Sequence, residues 1–284
     1  MPQSPNELDD DGRQVPSGDV HVWSASVAAY RSRKSALLGL LADDEIDRAN
    51  RFVFEKDRLS FVLGRATLRT LLGRCLSKRP QDVQIVANCF GKPELERKAL
   101  FFNTSHSGDV VLIALCRDHE IGVDVERVRH LEEMEQLAAK FFSPREVSEL
   151  RAAPPQQMSA AFFACWTRKE AYVKARGHGL SLPLAEFDVP TSPDSASDWR
   201  AVQSKDSSRW YVRALPTPGD YFGALAAPVP GLTAGGRAGI AARARLLPHR
   251  YFFAAGALCR RLSAGAEKSR IGRGIRRGSG PRIP

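Results

Sequence analysis

The sequence predicts an α+β fold. Two observations carry this. Short apolar segments with β character stand at both ends of each half of the chain, and stretches with helical spacing lie between them. The order of the segments, strand then helices then strands, is met once before residue 127 and once after it.

The elements follow in order. Residues 1–20 are polar, acidic and turn-rich and read as a disordered leader. His21–Ala28 alternates well enough for a first strand. Residues 35–79 read as helical. Asp43, Asp44 and Glu45 suit a helix start, where the backbone dipole is positive, and the apolar residues from Asp57 to Leu76 recur at helical spacing, decorated by Arg65, Arg69 and Arg74. Gly91-Lys92-Pro93 marks a turn. Leu100–Asn103, Val110–Cys116 and Gly122–Glu126 read as strands. Leu131–Phe142 is helical, and Ser143-Pro144-Arg145-Glu146 is a capping box with proline in the first helical turn. A longer helix runs from Gln157 to Arg176, and Gly177-His178-Gly179 stops it. Phe187–Pro190, Trp210–Leu215 and Tyr221–Ala227 are the last strands, with a polar loop over 191–208. No internal sequence repeat stands out. The reading is thus a leader (1–20), a first half (21–126), a second half (127–228) and a Gly/Ala/Arg-rich tail (229–284) expected to be disordered.

The bulk properties exclude several classes. The chain has 284 residues, 43% hydrophobic and 26% charged, which fits a globular protein with a real core. No run of about 18 uncharged apolar residues suggests a membrane span, and the leader lacks the basic-then-apolar order of a signal peptide. The net charge is +10, but residues 231–284 hold twelve Arg or Lys against Glu267 alone, so the preceding 230 residues sum to −1. The basicity belongs to the tail, where Leu246–Leu262 is one amphipathic piece. Five scattered cysteines without a CxxC suit buried thiols in a reducing cytoplasm and argue against zinc.

Three segments carry chemistry. In Ile121-Gly-Val-Asp-Val-Glu126, strand periodicity sends Asp124 and Glu126 to one face, about 7 Å apart. Two such carboxylates suit a hard divalent cation, or equally an edge strand with solvated acids. In Trp166–Lys174, Glu170 and Lys174 share a helix face, as a third metal ligand beside a phosphate-binding cation or as a surface ion pair. In Phe102-Asn-Thr-Ser-His-Ser-Gly108, small polar residues after a strand suggest an anion-binding turn, with His106 as a phosphate donor or an ordinary turn histidine.

FNTSHSG, IGVDVE, FFSPRE and WTRKEAYVKA, in this order and together with RFVFEKDR and GKP, resemble the Sfp-type 4'-phosphopantetheinyl transferases over residues 21–226. The resemblance implies two similar α+β halves related by a pseudo-twofold, with the active site in the cleft between them. It implies transfer of 4'-phosphopantetheine from coenzyme A to a serine of an acyl or peptidyl carrier protein, releasing 3',5'-ADP, with Mg²⁺ on the pyrophosphate. Metal ligands map to Asp124, Glu126 and Glu170. Coenzyme A contacts map to Arg48, Lys92, Ser105 and His106, with Lys174 on the pyrophosphate and Glu170 as the first candidate base. Four acids crowd Arg48, a departure from the family pattern for which Arg51 or Arg69 is expected to compensate at the 3'-phosphate. Leu180, Leu182 and Arg176, after the site helix, are expected to meet the carrier. A cytoplasmic monomer is the accompanying expectation. The alternatives are a basic-tailed nucleic-acid binding protein and a metal-dependent pyrophosphate hydrolase using the same site.

Overall fold

The computed structural model describes Val15, residues 19–193, 198–205 and 209–228, and the backbone of 241–246; side-chain statements below exclude Leu180. The first half opens with β1 (Asp19–Ser26), the short helices α1 (Val27–Tyr30) and α2 (Lys34–Leu38), then α3 (Asp43–Asn50) and α4 (Glu55–Leu76). A small hairpin follows, β2 (Ile85–Ala87) and β3 (Pro93–Leu95), and then β4 (Phe101–Ser107) and β5 (Val110–Cys116). The second half repeats the plan with β6 (Gly122–Arg127), α5 (Met134–Phe141), α6 (Pro144–Ala152) and α7 (Pro155–Arg176). After three two-residue strands, β7 (Phe187–Asp188), β8 (Arg200–Ala201) and β9 (Gln203–Ser204), it closes with β10 (Tyr211–Leu215) and β11 (Tyr221–Ala227).

With β12 formed by Ala241–Leu246, one sheet has the order β12-β1-β5-β4 and the other β6-β11-β10-β8. In each, the first strand of the half pairs antiparallel with the last, and the last pairs antiparallel with the strand before it. Facing side chains of the two sheets form one apolar layer, including Val22, Leu112 and Ala114 from the first and Val123, Val125 and Leu225 from the second. A separate core packs α7 against the second sheet, with Phe162, Phe163, Cys165, Ala171 and Tyr172 fully or nearly buried. Burial of this kind is the main favourable contribution to folding.

Several expectations change. The helical region 35–79 is built of three helices, interrupted at 39–42 and 51–54, and one of them starts at Asp43 as expected. Gly122–Glu126, assigned to the first half, hydrogen-bonds in the second sheet, so the sheets divide between Cys116 and Gly122. FNTSHSG is not a turn after a strand: Phe101–Ser107 is β4 itself, paired along its length with β5, and only Gly108 turns, at φ +55°. β4 is the edge strand of its sheet, so β5 engages its backbone on one side only. Ala241–Leu246 of the tail forms β12, parallel to β1. Of the leader 1–20 only Val15, Asp19 and Val20 are described, the last two opening β1, and the amphipathic piece beyond Leu246 lies outside the described residues.

Other expectations hold. Ser143 accepts from the Glu146 amide and Glu146 returns the bond to the Ser143 amide, with Pro144 opening the helix. Gly177 ends α7 at φ +69°, a conformation that costs a residue with a Cβ about 1 kcal/mol or more. Among the described residues no helix is long and apolar enough to cross a membrane.

Candidate active site

The site begins with a close approach. Gly122 lies so near α7 that a Cβ there would fall 2.0 Å from the Ala171 carbonyl oxygen. Only glycine lets β6 touch the helix backbone, and this contact sets the next same-face residues of β6, Asp124 and Glu126, beside the α7 residues Glu170 and Lys174. The expected sharing of a face by Asp124 and Glu126 is observed, for Val123 and Val125 point into the apolar layer.

Strand β4 supplies the facing wall. Its alternate side chains stand in for a partner strand. Asn103 Oδ1 accepts from the Val123 amide (2.9 Å), Ser105 Oγ from the Val125 amide (3.3 Å) and Ser107 Oγ from the Arg127 amide (3.1 Å). The same hydroxyls donate onward. Ser105 Oγ donates to Asp124 Oδ1 at 2.7 Å and Ser107 Oγ to Glu126 Oε2 at 2.8 Å. Lys174 Nζ completes the group, 2.6 Å from Asp124 Oδ1 and 3.0 Å from Ser105 Oγ.

This arrangement under-satisfies its acids. Asp124 is 4% exposed, and its Oδ2 is buried without a hydrogen-bond partner. Burial, and then the charge of Asp124, hold the Glu170 carboxyl above its ordinary value. Burial also raises Glu126, opposed by the Ser107 hydrogen bond and abetted by Asp124. Three carboxylates therefore share a pocket that lacks enough positive charge, a condition that a divalent cation relieves. Asp124, Glu126, Glu170 and Lys174 line one cavity of about 530 Å³ with Trp166 and Thr104–His106, so both halves contribute to it. Among the described residues no three His, Cys, Asp or Glu side chains stand close enough to hold a metal as they are, and Lys174 is the cation now seated on Asp124.

A second cavity adjoins the first at Thr104–His106. It is lined by Arg48, Phe61, Arg65, Val86 and Pro93, among others, and shares Thr104, Ser105 and His106 with the first. The guanidinium groups of Arg48 and Arg65 lie 5.2 and 5.8 Å from the Phe61 ring centroid. Desolvation at the pocket wall and then the nearby Lys174 push the His106 pKa below its ordinary value.

The predicted site residues divide. Asp124, Glu126, Glu170, Lys174, Ser105 and His106 come together around the first cavity, and Arg48 joins Ser105 and His106 at the second. Lys92 reaches neither lining. Its ammonium lies 2.6 Å from Glu120 Oε2 and 3.1 Å from the Ala175 carbonyl, bracing the β2–β3 hairpin against the end of α7. Arg69 is not at the pocket either: it is 3% exposed and pairs with Glu45 at 2.5 Å. Arg51 is exposed and absent from both linings. The cation that joins Arg48 is Arg65, one turn before Arg69 on α4. The sequence marked it only as one arginine among several, although its spacing from Phe61 was a usable signal.

The expected carrier contacts also change. Leu182 packs against the second-half core, and Arg176 donates to the Tyr172 hydroxyl and lies over the Tyr172 and Trp210 rings rather than standing as a rim charge. The Leu180 side chain lies outside the described residues.

Comparison with known proteins adds an independent finding. Residues 120–226 match the model of the 4'-phosphopantetheinyl transferase superfamily, and residues 22–117 match that of the 4'-phosphopantetheinyl transferase N-terminal region. The chain is 39% identical over 181 residues to 4'-phosphopantetheinyl transferase HetI of a Nostoc species, covering 62% of this chain and 76% of the relative. It is 35% identical over 184 residues to a putative 4'-phosphopantetheinyl transferase of a Synechocystis species (64% and 74% covered). It is 28% identical over 195 residues to 4'-phosphopantetheinyl transferase Sfp of Bacillus subtilis (68% and 84% covered).

Proposed function

The chain belongs to the 4'-phosphopantetheinyl transferase family, and from that premise we propose that it moves 4'-phosphopantetheine from coenzyme A to a serine hydroxyl of an acyl or peptidyl carrier protein, releasing 3',5'-ADP. The observation that carries the reading is the buried, unpartnered Oδ2 of Asp124 in a pocket that also holds Glu126, Glu170 and Lys174. Such an atom costs free energy unless a cation meets it. These carboxylates fit magnesium, and Asp124, Glu126 and Glu170 would hold it. When bound, the ion supplies positive charge beside the pyrophosphate, where charge builds as the leaving oxygen departs.

The chain's own groups do the rest. The two cavities meet at the Thr104–His106 wall, one with cations and an aromatic face, the other with carboxylates and a lysine. That suits a ligand with a phosphorylated purine nucleoside at one end and a pyrophosphate at the other. Arg48 and Arg65 take the 3'-phosphate by charge-assisted hydrogen bonds, and Phe61 offers an apolar face to the nucleoside. Lys92 acts as a strut of the hairpin, not as a phosphate ligand. Lys174 leaves Asp124 for the pyrophosphate, and His106 donates to the same region. Glu170 is the candidate base, accepting the serine proton at a carboxylate oxygen that does not sit on the ion. Both halves line one pocket within a single chain, so a monomer suffices, and substrates of this kind place the reaction in the cytoplasm.

Intact mass spectrometry of several apo carrier proteins, incubated with the chain, coenzyme A and magnesium, tests the reading. The carrier should gain the mass of one phosphopantetheine. If no carrier gains it, the transferase reading fails. If coenzyme A is cleaved without a carrier present, the pyrophosphate hydrolase takes its place.

A further inference from the structure

Strand β4 serves the two β6 carboxylates in the same way. Ser105 Oγ and Lys174 Nζ both meet Oδ1 of Asp124, and Oδ2 is left without a partner. One step along each strand, Ser107 Oγ and the Arg129 guanidinium both meet Oε2 of Glu126, at 2.8 and 3.5 Å. In both cases one oxygen is tied back to the opposite half. The carboxylate then cannot rotate freely, and its second oxygen is the one free to serve the cavity.

Ser105 lines that cavity itself, but Ser107 does not. Its hydroxyl has two partners, both on β6: it accepts from the Arg127 amide at 3.1 Å and donates to Glu126. A hydroxyl has one proton to donate, so its backbone acceptor role fixes the direction in which that proton is given. Arg129, the other group on Oε2, is a long, largely exposed side chain at 58% and holds the carboxylate weakly. Ser107 is therefore the better-ordered restraint on Glu126.

We propose that Ser107 is a positioning residue that presets the Glu126 carboxylate to hold the divalent cation. It never touches the ion or the substrate. The inference rests on the assignment of Glu126 as a metal ligand. Groups that orient a ligand carboxylate commonly change metal affinity by about 10–100-fold when removed.

The test is Mn²⁺ binding, read by the electron paramagnetic resonance of the free ion. The full chain is used with saturating coenzyme A and no carrier protein, so that no turnover occurs. Ser107→Ala should weaken Mn²⁺ binding about 10-fold, and Ser107→Thr, which keeps the hydroxyl, should restore most of it. Thermal unfolding of the same variants without metal separates positioning from a structural role. If Ser107→Ala lowers the melting temperature but binds Mn²⁺ like wild type, or if Ser107→Thr is as weak as Ser107→Ala, the proposal is overturned. Glu126→Ala distinguishes the two levels. If it weakens binding while Ser107→Ala does not, only the positioning role falls. If it leaves Mn²⁺ affinity unchanged, the ligand assignment fails and the proposal with it.

Discussion

Arg69 in the first half and Lys169 in the second are each the fifteenth residue of a 22-residue helix. Each neutralises a glutamate three places into the preceding helix, Glu45 at 2.5 Å and Glu146 at 2.7 Å. Each glutamate also accepts from the backbone amide before its own helix, at Ala42 and Ser143. Each cation also donates to carbonyls of the chain beyond the long helix, Arg69 to Pro80 and Val83, Lys169 to Leu184 and Phe187. The two halves thus use one buried ion pair in one place to join three segments. The next helical position separates them. In α4 it is Thr70, whose hydroxyl donates to its own helix at the Ala66 carbonyl, and in α7 it is Glu170.

The comparison distinguishes two kinds of buried acid. Glu146 is 0% exposed, yet both of its oxygens accept backbone amides and one also faces the Lys169 ammonium. Asp124, Glu126 and Glu170 are less completely met, and burial pushes the pKa values of the two glutamates upward. A fully met acid is stabilised in its charged form, whereas an incompletely met one costs free energy until a cation or a proton reaches it.

Five experiments would break or sharpen this division. Asp124→Asn should cost roughly a thousandfold in carrier modification, the loss expected when several kcal/mol of charge stabilisation goes. The circular dichroism spectrum should not change, and a variant with wild-type turnover would make Asp124 one more structural acid. Lys169→Met should lower unfolding free energy by about 3 kcal/mol in urea, since it removes the cation from the buried Glu146, and Arg69→Met should cost less, since Arg65 stays 3.4 Å from Glu45. An equal loss would show that Arg65 does not support Glu45. Lys174→Ala should reduce kcat by about 10–100-fold with little change in KM, matching one charge-assisted hydrogen bond made to the developing charge. Arg65→Ala should raise KM for coenzyme A about 10-fold but leave 3'-dephospho-coenzyme A unaffected. An equal effect on both ligands would remove Arg65 from the 3'-phosphate.

The smallest effect is on stability against pH in the presence of chelator. Because burial holds the Glu126 and Glu170 carboxyls above the ordinary glutamate range in the folded chain, that state holds protons more tightly than the unfolded one. Their contribution is fully present below the unfolded value and is lost as pH rises through the folded values. Wild type should lose stability over that rise more than the Glu126→Gln, Glu170→Gln double variant does. Parallel curves would show these acids to be as well met as Glu146.

Sequence reading carried far where the signal is local. The capping box at Ser143, the glycine stop at Gly177 and the shared face of Asp124 and Glu126 each depend on residues within a few positions, and all are found. Reading failed where the partner is remote. The strand expected over Leu100–Asn103 runs on to Ser107, because pairing with β5 holds the small polar residues of FNTSHSG, whose composition is that of a turn. Position in the GKP motif does not disclose the partners of Lys92, whose ammonium meets Glu120 and the Ala175 carbonyl. The correspondence of Arg69 with Lys169 was invisible because the residue types differ and only burial and geometry match.

The sequence by itself determined which residues are chemically able to act and which of them share a face, because helix and strand periods are properties of the backbone alone. The tertiary structure decided which charges are cancelled. An acid is structural or functional according to the amides and cations that reach it from distant segments, and for Glu146 and Asp124 those come from other helices and strands, some from across the seam between the halves.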